Sequence, residues 1–219
     1  SGTSKTGNSG QVHLGTGVAT GGRGGAVVVT VGSGTSARGG MVMVHGGRST
    51  VHTGGMVHVS SGEGTVSSSG SIVIRSSNAG TGGMSGWLSF SSGTSKTGNS
   101  GAVYMGTGAA TVGRGGDVVI AVGSGTSSAG GTAQMHGGRS TVHTGGSVHL
   151  TSGEGTATSS GVIMIRSANA GVGGVSGALY FSSGTSKTGN SGQVHLGTGV
   201  ATEGRGGAVV VTVGSGTSA

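Results

Sequence analysis

The chain has 219 residues, of which 57 are glycine, none is proline or cysteine, 7% are charged and 2% are aromatic. This composition differs strongly from that of ordinary globular domains and excludes a conventional hydrophobic core. The net charge of +7 comes from single Lys and Arg residues rather than from runs, which predicts weak contact with polyanions and does not indicate a nucleic-acid interface. No apolar stretch approaches the roughly 20 residues of a membrane helix, so we expect no membrane insertion.

The decapeptide SGTSKTGNSG occupies residues 1–10, 92–101 and 183–192, which defines a superrepeat of 91 residues. A shorter repeat lies inside it, because a glycine precedes each apolar cluster at every fifteenth position, with two steps longer by one residue. We call these the anchor glycines: Gly10, Gly25, Gly40, Gly55, Gly70, Gly86, Gly101, Gly116, Gly131, Gly146, Gly161, Gly177, Gly192 and Gly207. The predicted organisation is one continuous array, with superrepeats 1–91 and 92–182 and a partial one at 183–219, cut from a longer filament.

The four residues after each anchor glycine, here the apolar segment, carry apolar side chains at positions two and four, as in Val27 and Val29. This alternation is typical of a strand with one buried face. Five residues before each anchor glycine lies a second column, the Thr column, which we predict to face outward from a weaker strand. Lys5, Lys96 and Val172 are among its interruptions. Its threonines are Thr20, Thr35, Thr50, Thr65, Thr81, Thr111, Thr126, Thr141, Thr156, Thr202 and Thr217.

Two strands and two turns in each repeat predict an all-β fold, a narrow two-sided parallel β-solenoid with about 15 residues per coil and six coils per superrepeat. The extra residue of the two longer units should be absorbed at a turn. Arg48 and Glu63 occupy the same position in successive units, as do Arg139 and Glu154, so stacked coils would join each pair in a salt bridge. A separate two-stranded hairpin in each unit is the competing fold.

Positions one and three of the apolar segment should point away from the interior of a coil, yet more than half of them are apolar. Contiguous exposed apolar surface usually marks an interaction site. We therefore expect lateral packing against another copy of the chain. The residues of this predicted lateral interface include Val28, Met41, Met43, Met56, Trp87, Tyr104, Val119, Met164 and Tyr180.

Runs such as SGTS, TGNSG and GTGAAT resemble the Gly/Ser/Thr-rich repeats of large extracellular surface, matrix or fibre proteins of microalgae, other protists and bacteria. That resemblance implies a secreted, self-assembling structural protein. Coil length and threonine placement also resemble those of insect antifreeze β-solenoids, which implies an alternative function: binding of ice or another crystal surface by the Thr column. The sequence departs from that pattern because only Thr156 and Thr158 form a Thr-x-Thr pair with the column.

We expect neither catalysis, nor a cofactor, nor a metal site. His13, His58, His149 and His195 share position three of their segments, but in a solenoid they would lie too many coils apart to bind one ion. The acidic residues do not recur beside a Ser and a His, as acid–base chemistry would need. The predicted function is that of an extracellular structural protein, a filament formed by coil stacking and lateral packing, with itself as partner and with polysaccharide or O-linked glycan as a further candidate.

Overall fold

The computed structural model describes residues 2–216, and among these residues it contains neither a helix nor a strand. The chain repeats one local arrangement instead. Each apolar segment is followed by a connecting loop, which runs from position five to the next anchor glycine. Every loop whose Thr-column residue lies within residues 2–216 bends at that residue. The bends occupy residues 5–7, 20–22, 35–37, 50–52, 65–67, 81–82, 96–98, 111–113, 126–128, 141–143, 156–158, 172–173, 187–189 and 202–204.

The connecting loops close at their base, where an anchor glycine lies against the residue nine or ten positions before it. The Thr16 hydroxyl donates a hydrogen bond to the Gly25 carbonyl oxygen at 3.1 Å, and a Cβ on Gly25 would lie 2.9 Å from the Thr16 Cβ. At Gly131 a Cβ would lie 2.5 Å from Val122 Cγ1. Real Cβ atoms do not come so close to a neighbour, so Gly25 and Gly131 need glycine for space at the base of their loops.

Six loops carry a backbone hydrogen bond at this base, in which the anchor glycine N–H donates to the carbonyl oxygen eight residues earlier. Three of them are consecutive in one superrepeat, and the other three are their equivalents in the next superrepeat. The donors are Gly40, Gly55 and Gly70 at 2.9, 2.7 and 2.9 Å, and Gly131, Gly146 and Gly161 at 3.1, 2.8 and 2.9 Å. The local geometry therefore repeats with the superrepeat.

The two longer units contain a tight turn that the other units lack within residues 2–216. Gly83 N–H donates to the Gly80 carbonyl oxygen at 3.2 Å, and Gly82 has a φ of 78°. A positive φ at the third residue of a four-residue turn is the geometry of a type II turn, which glycine adopts without steric cost. Gly171–Gly174 repeats it, with a φ of 76° at Gly173. The prediction that a turn absorbs the extra residue is confirmed.

The predicted β-solenoid is wrong for the described residues, which contain no parallel strand ladder. The backbone hydrogen bonds at the loop bases and turns span eight or three residues, whereas a solenoid would join each segment to the equivalent segment of the next repeat. The physical reason is that a narrow coil so rich in glycine has little apolar area to bury. Ordering a glycine-rich backbone costs about 1–2 kcal/mol per residue, and that area does not offset the cost.

The predicted alternation of side chains survives as a difference in exposure, although no side chain in the described residues is buried. In the segment after Gly86, Leu88 is 50% exposed and its neighbour Trp87 is 93% exposed. In the segment after Gly25, Val27 is 52% and Val28 is 78% exposed. Position two is therefore the less exposed position of these segments, as period-two spacing predicts. Position four does not follow it throughout, since Val44 is 72% and Val211 is 83% exposed.

By internal contacts the chain divides into two units, Ser1–Gly108 and Ala109–Ala219. Each unit is a series of apolar segments and connecting loops of the kind just described. The boundary between the units falls inside the second superrepeat. Contacts within each unit are almost all between residues close in sequence.

Candidate functional site: apolar segments and connecting loops

The predicted lateral interface lies at the surface of the chain. Each of its nine residues is exposed, from Met43 at 66% to Trp87 and Tyr104 at 93%. The residues are spread over apolar segments of both units. Their shared property is position in the repeat: each is the first or third residue of its apolar segment.

The Thr column lies at the bends of the connecting loops and not in a second strand as predicted. Each of its described threonines is the first residue of a bend, and the interrupting Lys5, Lys96, Lys187 and Val172 take the same place. Thr217 lies outside the described residues. The predicted surface-binding role of this column remains a prediction.

Serine hydroxyls support several of these bends, which sequence reasoning missed. In the repeated decapeptide, Gly7 N–H donates to Ser4 Oγ at 3.1 Å, and the equivalent pairs in the second and third copies measure 3.0 Å each. A second kind of bend has His52 N–H donating to Ser49 Oγ at 2.9 Å. Such hydroxyl-to-backbone bonds across three residues are characteristic of Ser and Thr turns. The signal was a serine directly before the Thr column.

One ion pair joins described residues, and it is not among those predicted from stacking. Arg114 Nη2 donates to both carboxylate oxygens of Asp117, at 2.8 and 3.1 Å. Arg48 and Glu63 form no salt bridge in the described part of the chain. The predicted bridges needed stacked coils, whereas Arg114 and Asp117 are three residues apart and approach across a loop base. Opposite charges at that short spacing were visible in the sequence.

The histidines and acidic residues do not converge. Within residues 2–216 no group of three or more His, Asp and Glu residues lies close enough to hold a metal ion. His149 Nε2 lies 3.0 Å from Ser147 Oγ, and His136 Nε2 lies 3.1 Å from Gln134 Oε1. Each of these contacts joins alternate residues of one repeat. Each contact joins two side chains at the surface.

The surface depressions of the chain are shallow. One of about 220 Å³ is lined by Arg166, Ser167, Ala168 and Asn169. Another, of about 360 Å³, is mainly apolar, and Phe181, Val194, His195 and Leu196 line it. The second brings apolar segments of successive repeats side by side, so an apolar contact surface is the chemistry it supports.

Comparison with known proteins gives no match to a family model, to a curated protein or to a solved structure. In the described residues no helix is both long enough and apolar enough to pass through a membrane. The assignment of a role therefore depends on the repeat geometry, the exposed apolar segments and the charges of the loops.

Proposed function

We propose that this chain is an extracellular structural protein, which forms a filament or fibre by lateral association of its apolar segments with those of other copies. Its role in this proposal is mechanical and not catalytic. The contact between copies takes the place of the stacking of coils within one chain, which the described residues lack.

The observation that carries the proposal is the unburied apolar surface. The chain exposes 22083 Å², about two and a half times the roughly 8,800 Å² expected of a compact monomer of 20.3 kDa. Four-residue apolar segments recur fourteen times in this surface. Because water disfavours apolar surface by roughly 25 cal/mol per Å², burial between copies offers a large stabilisation that the single chain does not obtain.

The repeat itself supports a second copy as the partner. Two chains with the same repeat length meet segment against segment at every unit once a single pair is aligned. The apolar segments carry no Lys or Arg, and Asp117 is their one acidic residue, so like charges are not forced together at the contact. The charged side chains lie in the loops at the sides of such a contact.

A matched pair of methionine substitutions tests the proposal. Met56 is 84% exposed in an apolar segment, and Met84 is 97% exposed in a connecting loop. We expect Met56→Lys to raise the critical concentration for assembly about fivefold or more, because it places an unpaired charge in a buried contact. Met84→Lys adds the same charge outside the contact and should change it by less than about twofold.

The measurement is sedimentation velocity over a range of concentrations, with electron microscopy of the assembled fraction. The proposal is wrong if the unmodified chain stays a monodisperse monomer up to its solubility limit. It is also wrong if the two lysine variants shift the critical concentration equally, because net charge rather than segment contact would then control assembly.

A further inference from the structure

A second feature of the surface is its unbalanced positive charge. All eleven Lys and Arg residues lie in connecting loops, and each is exposed. Against them stand four acidic residues. Arg114 is the cation that forms an ion pair within residues 2–216, so ten cations are left without a carboxylate partner in that part of the chain.

The cations are also well separated along the chain, since successive ones are at least ten residues apart. They occupy different places in the loops: Lys5 lies in a bend, Arg23 near the base of a loop, and Arg75 at the first residue of a loop. Separated single charges fit a flexible polyanion that carries its own charges at intervals. They do not form the dense basic patch that a nucleic-acid duplex requires.

The neighbours of the cations indicate which class of polyanion fits. No Phe, Tyr or Trp occurs before Trp87, so five cations lie in a stretch without the aromatic platforms on which single-stranded nucleic acids stack. The loops around Lys5, Lys96 and Lys187 are instead rich in Ser, Thr and Asn, whose hydroxyl and amide groups match the hydrogen-bonding pattern of sugar hydroxyls.

We propose that the connecting loops bind an acidic polysaccharide, through ion pairs of the unpaired Lys and Arg side chains with its carboxylate or sulfate groups and hydrogen bonds of the neighbouring Ser, Thr and Asn side chains with its hydroxyls. This binding is separate from assembly, because the apolar segments contain no cation. One polysaccharide chain thereby crosslinks loops whose apolar segments remain free to contact other copies.

The repeat provides a matched pair of residues for the test. Arg23 and Arg114 are equivalent in successive superrepeats, each two residues before an anchor glycine, in the sequences GGRGGAV and VGRGGDV. Asp117 lies three residues after Arg114, whereas Ala26 occupies the equivalent position after Arg23. The Asp117 carboxylate holds Arg114 Nη2 at 2.8 Å and offsets its charge. Arg23 has no such partner, so the two arginines should contribute unequally to binding a polyanion.

The experiment measures binding of the full chain, at concentrations where it is monomeric by sedimentation, to alginate, heparin and neutral dextran in low salt. We expect binding to alginate and heparin that weakens as salt rises, and no binding to dextran. Arg23→Ser should weaken binding about two- to threefold, the effect of one exposed ion pair. Arg114→Ser should change it by less than Arg23→Ser does, and Asp117→Ala should strengthen it by about twofold.

Two outcomes would overturn the inference. Unchanged binding of Arg23→Ser would mean that the individual loop charges do not bind the polyanion. Binding of duplex DNA that is as tight as binding of heparin would mean that the surface does not select a polysaccharide. Because the measurement uses monomeric protein, its result is independent of whether filaments form, and a failure of the proposed function leaves it interpretable.

Discussion

The two units of the chain have similar local backbone geometry and differ in charge. Ser1–Gly108 contains six Lys and Arg residues against one acidic residue, and Ala109–Ala219 contains five against three. Their formal charges are therefore +5 and +2. In contrast, the base hydrogen bonds of the first unit have close counterparts in the second: Gly55 donates at 2.7 Å and its equivalent Gly146 at 2.8 Å. Loop geometry follows from the Gly and Ser positions, which recur, and most charged positions recur with them. The two units differ in charge because Arg38, Asp117 and Glu203 have no charged counterpart at the equivalent positions.

This comparison predicts that a change in a glycine or serine will affect one loop and leave its counterpart in the other unit intact. Every such variant therefore carries its own control within the same molecule. The three substitutions below are ordered by the size of the expected effect, and amide hydrogen exchange measured by NMR reports on each loop separately.

The largest effect is expected for Gly46→Ala. A Cβ at Gly46 would collide with the carbonyl oxygen of Gly55, which is backbone and lies at the loop base, whereas a Cβ at the neighbouring Gly47 would meet open space. Overpacking of this kind costs about 1–3 kcal/mol, so the loop should open more often. Because roughly 1.4 kcal/mol corresponds to a tenfold change, exchange of the Gly55 amide should accelerate about tenfold or more.

The control for that prediction is Gly47→Ala, which should leave Gly55 exchange within about twofold. The equivalent Gly146 amide, in the other unit, should be unchanged in both variants. Equal acceleration by the two alanines would contradict the described loop base.

A somewhat smaller effect is expected for Gly82→Val, in the type II turn. The residue has a φ of 78°, and an L-residue with a β-branched side chain pays about 1–2 kcal/mol there. Exchange of the Gly83 amide should rise about five- to thirtyfold. Gly82→Asn should have a weaker effect, because Asn tolerates a left-handed conformation better than other residues.

The turn Gly171–Gly174 is the internal reference, and its Gly174 amide should not respond to either change at Gly82. A valine that left the Gly83 amide unaffected would show that the turn does not hold the positive φ at residue 82.

The smallest effect is expected for Ser49→Ala, which removes the acceptor of the His52 N–H bond. A single exposed hydrogen bond contributes about 0.5–1 kcal/mol, so exchange of the His52 amide should rise about two- to fivefold. His143, whose N–H donates to Ser140 Oγ at 2.9 Å in the other unit, should keep its rate. Ser49→Thr retains the hydroxyl and should restore slow exchange.

Several local features were predictable because they depend on residues that are close together in the sequence. The extra residue of each longer unit indicated a turn, and Gly82 and Gly173 lie in these turns. The alternation of apolar residues indicated two sides of a segment, and Val27 and Val28 differ in exposure accordingly.

The strand pairing and the stacked salt bridges were not predictable, because they depend on partners distant in the chain. An identical spacing in every repeat is compatible with stacking of coils and equally with a series of separately closed loops. Thr35 and Thr50 show the consequence, since the regular column to which they belong begins bends instead of lining a strand. Likewise Arg114 pairs with the acid three residues away, while Arg48 forms no bridge to Glu63 in the described part of the chain.

The sequence by itself determined the repeat length, the turn in each of the two longer units, the two sides of the apolar segments and the confinement of positive charge to the loops. These follow from steric limits of individual residues and from periodicity, which act over a few positions. Only the tertiary structure decided what the backbone bonds to and how much apolar surface stays in water. That outcome is a balance between chain entropy and burial over the whole chain, and with so many glycines and so small an interior the balance favours local loops.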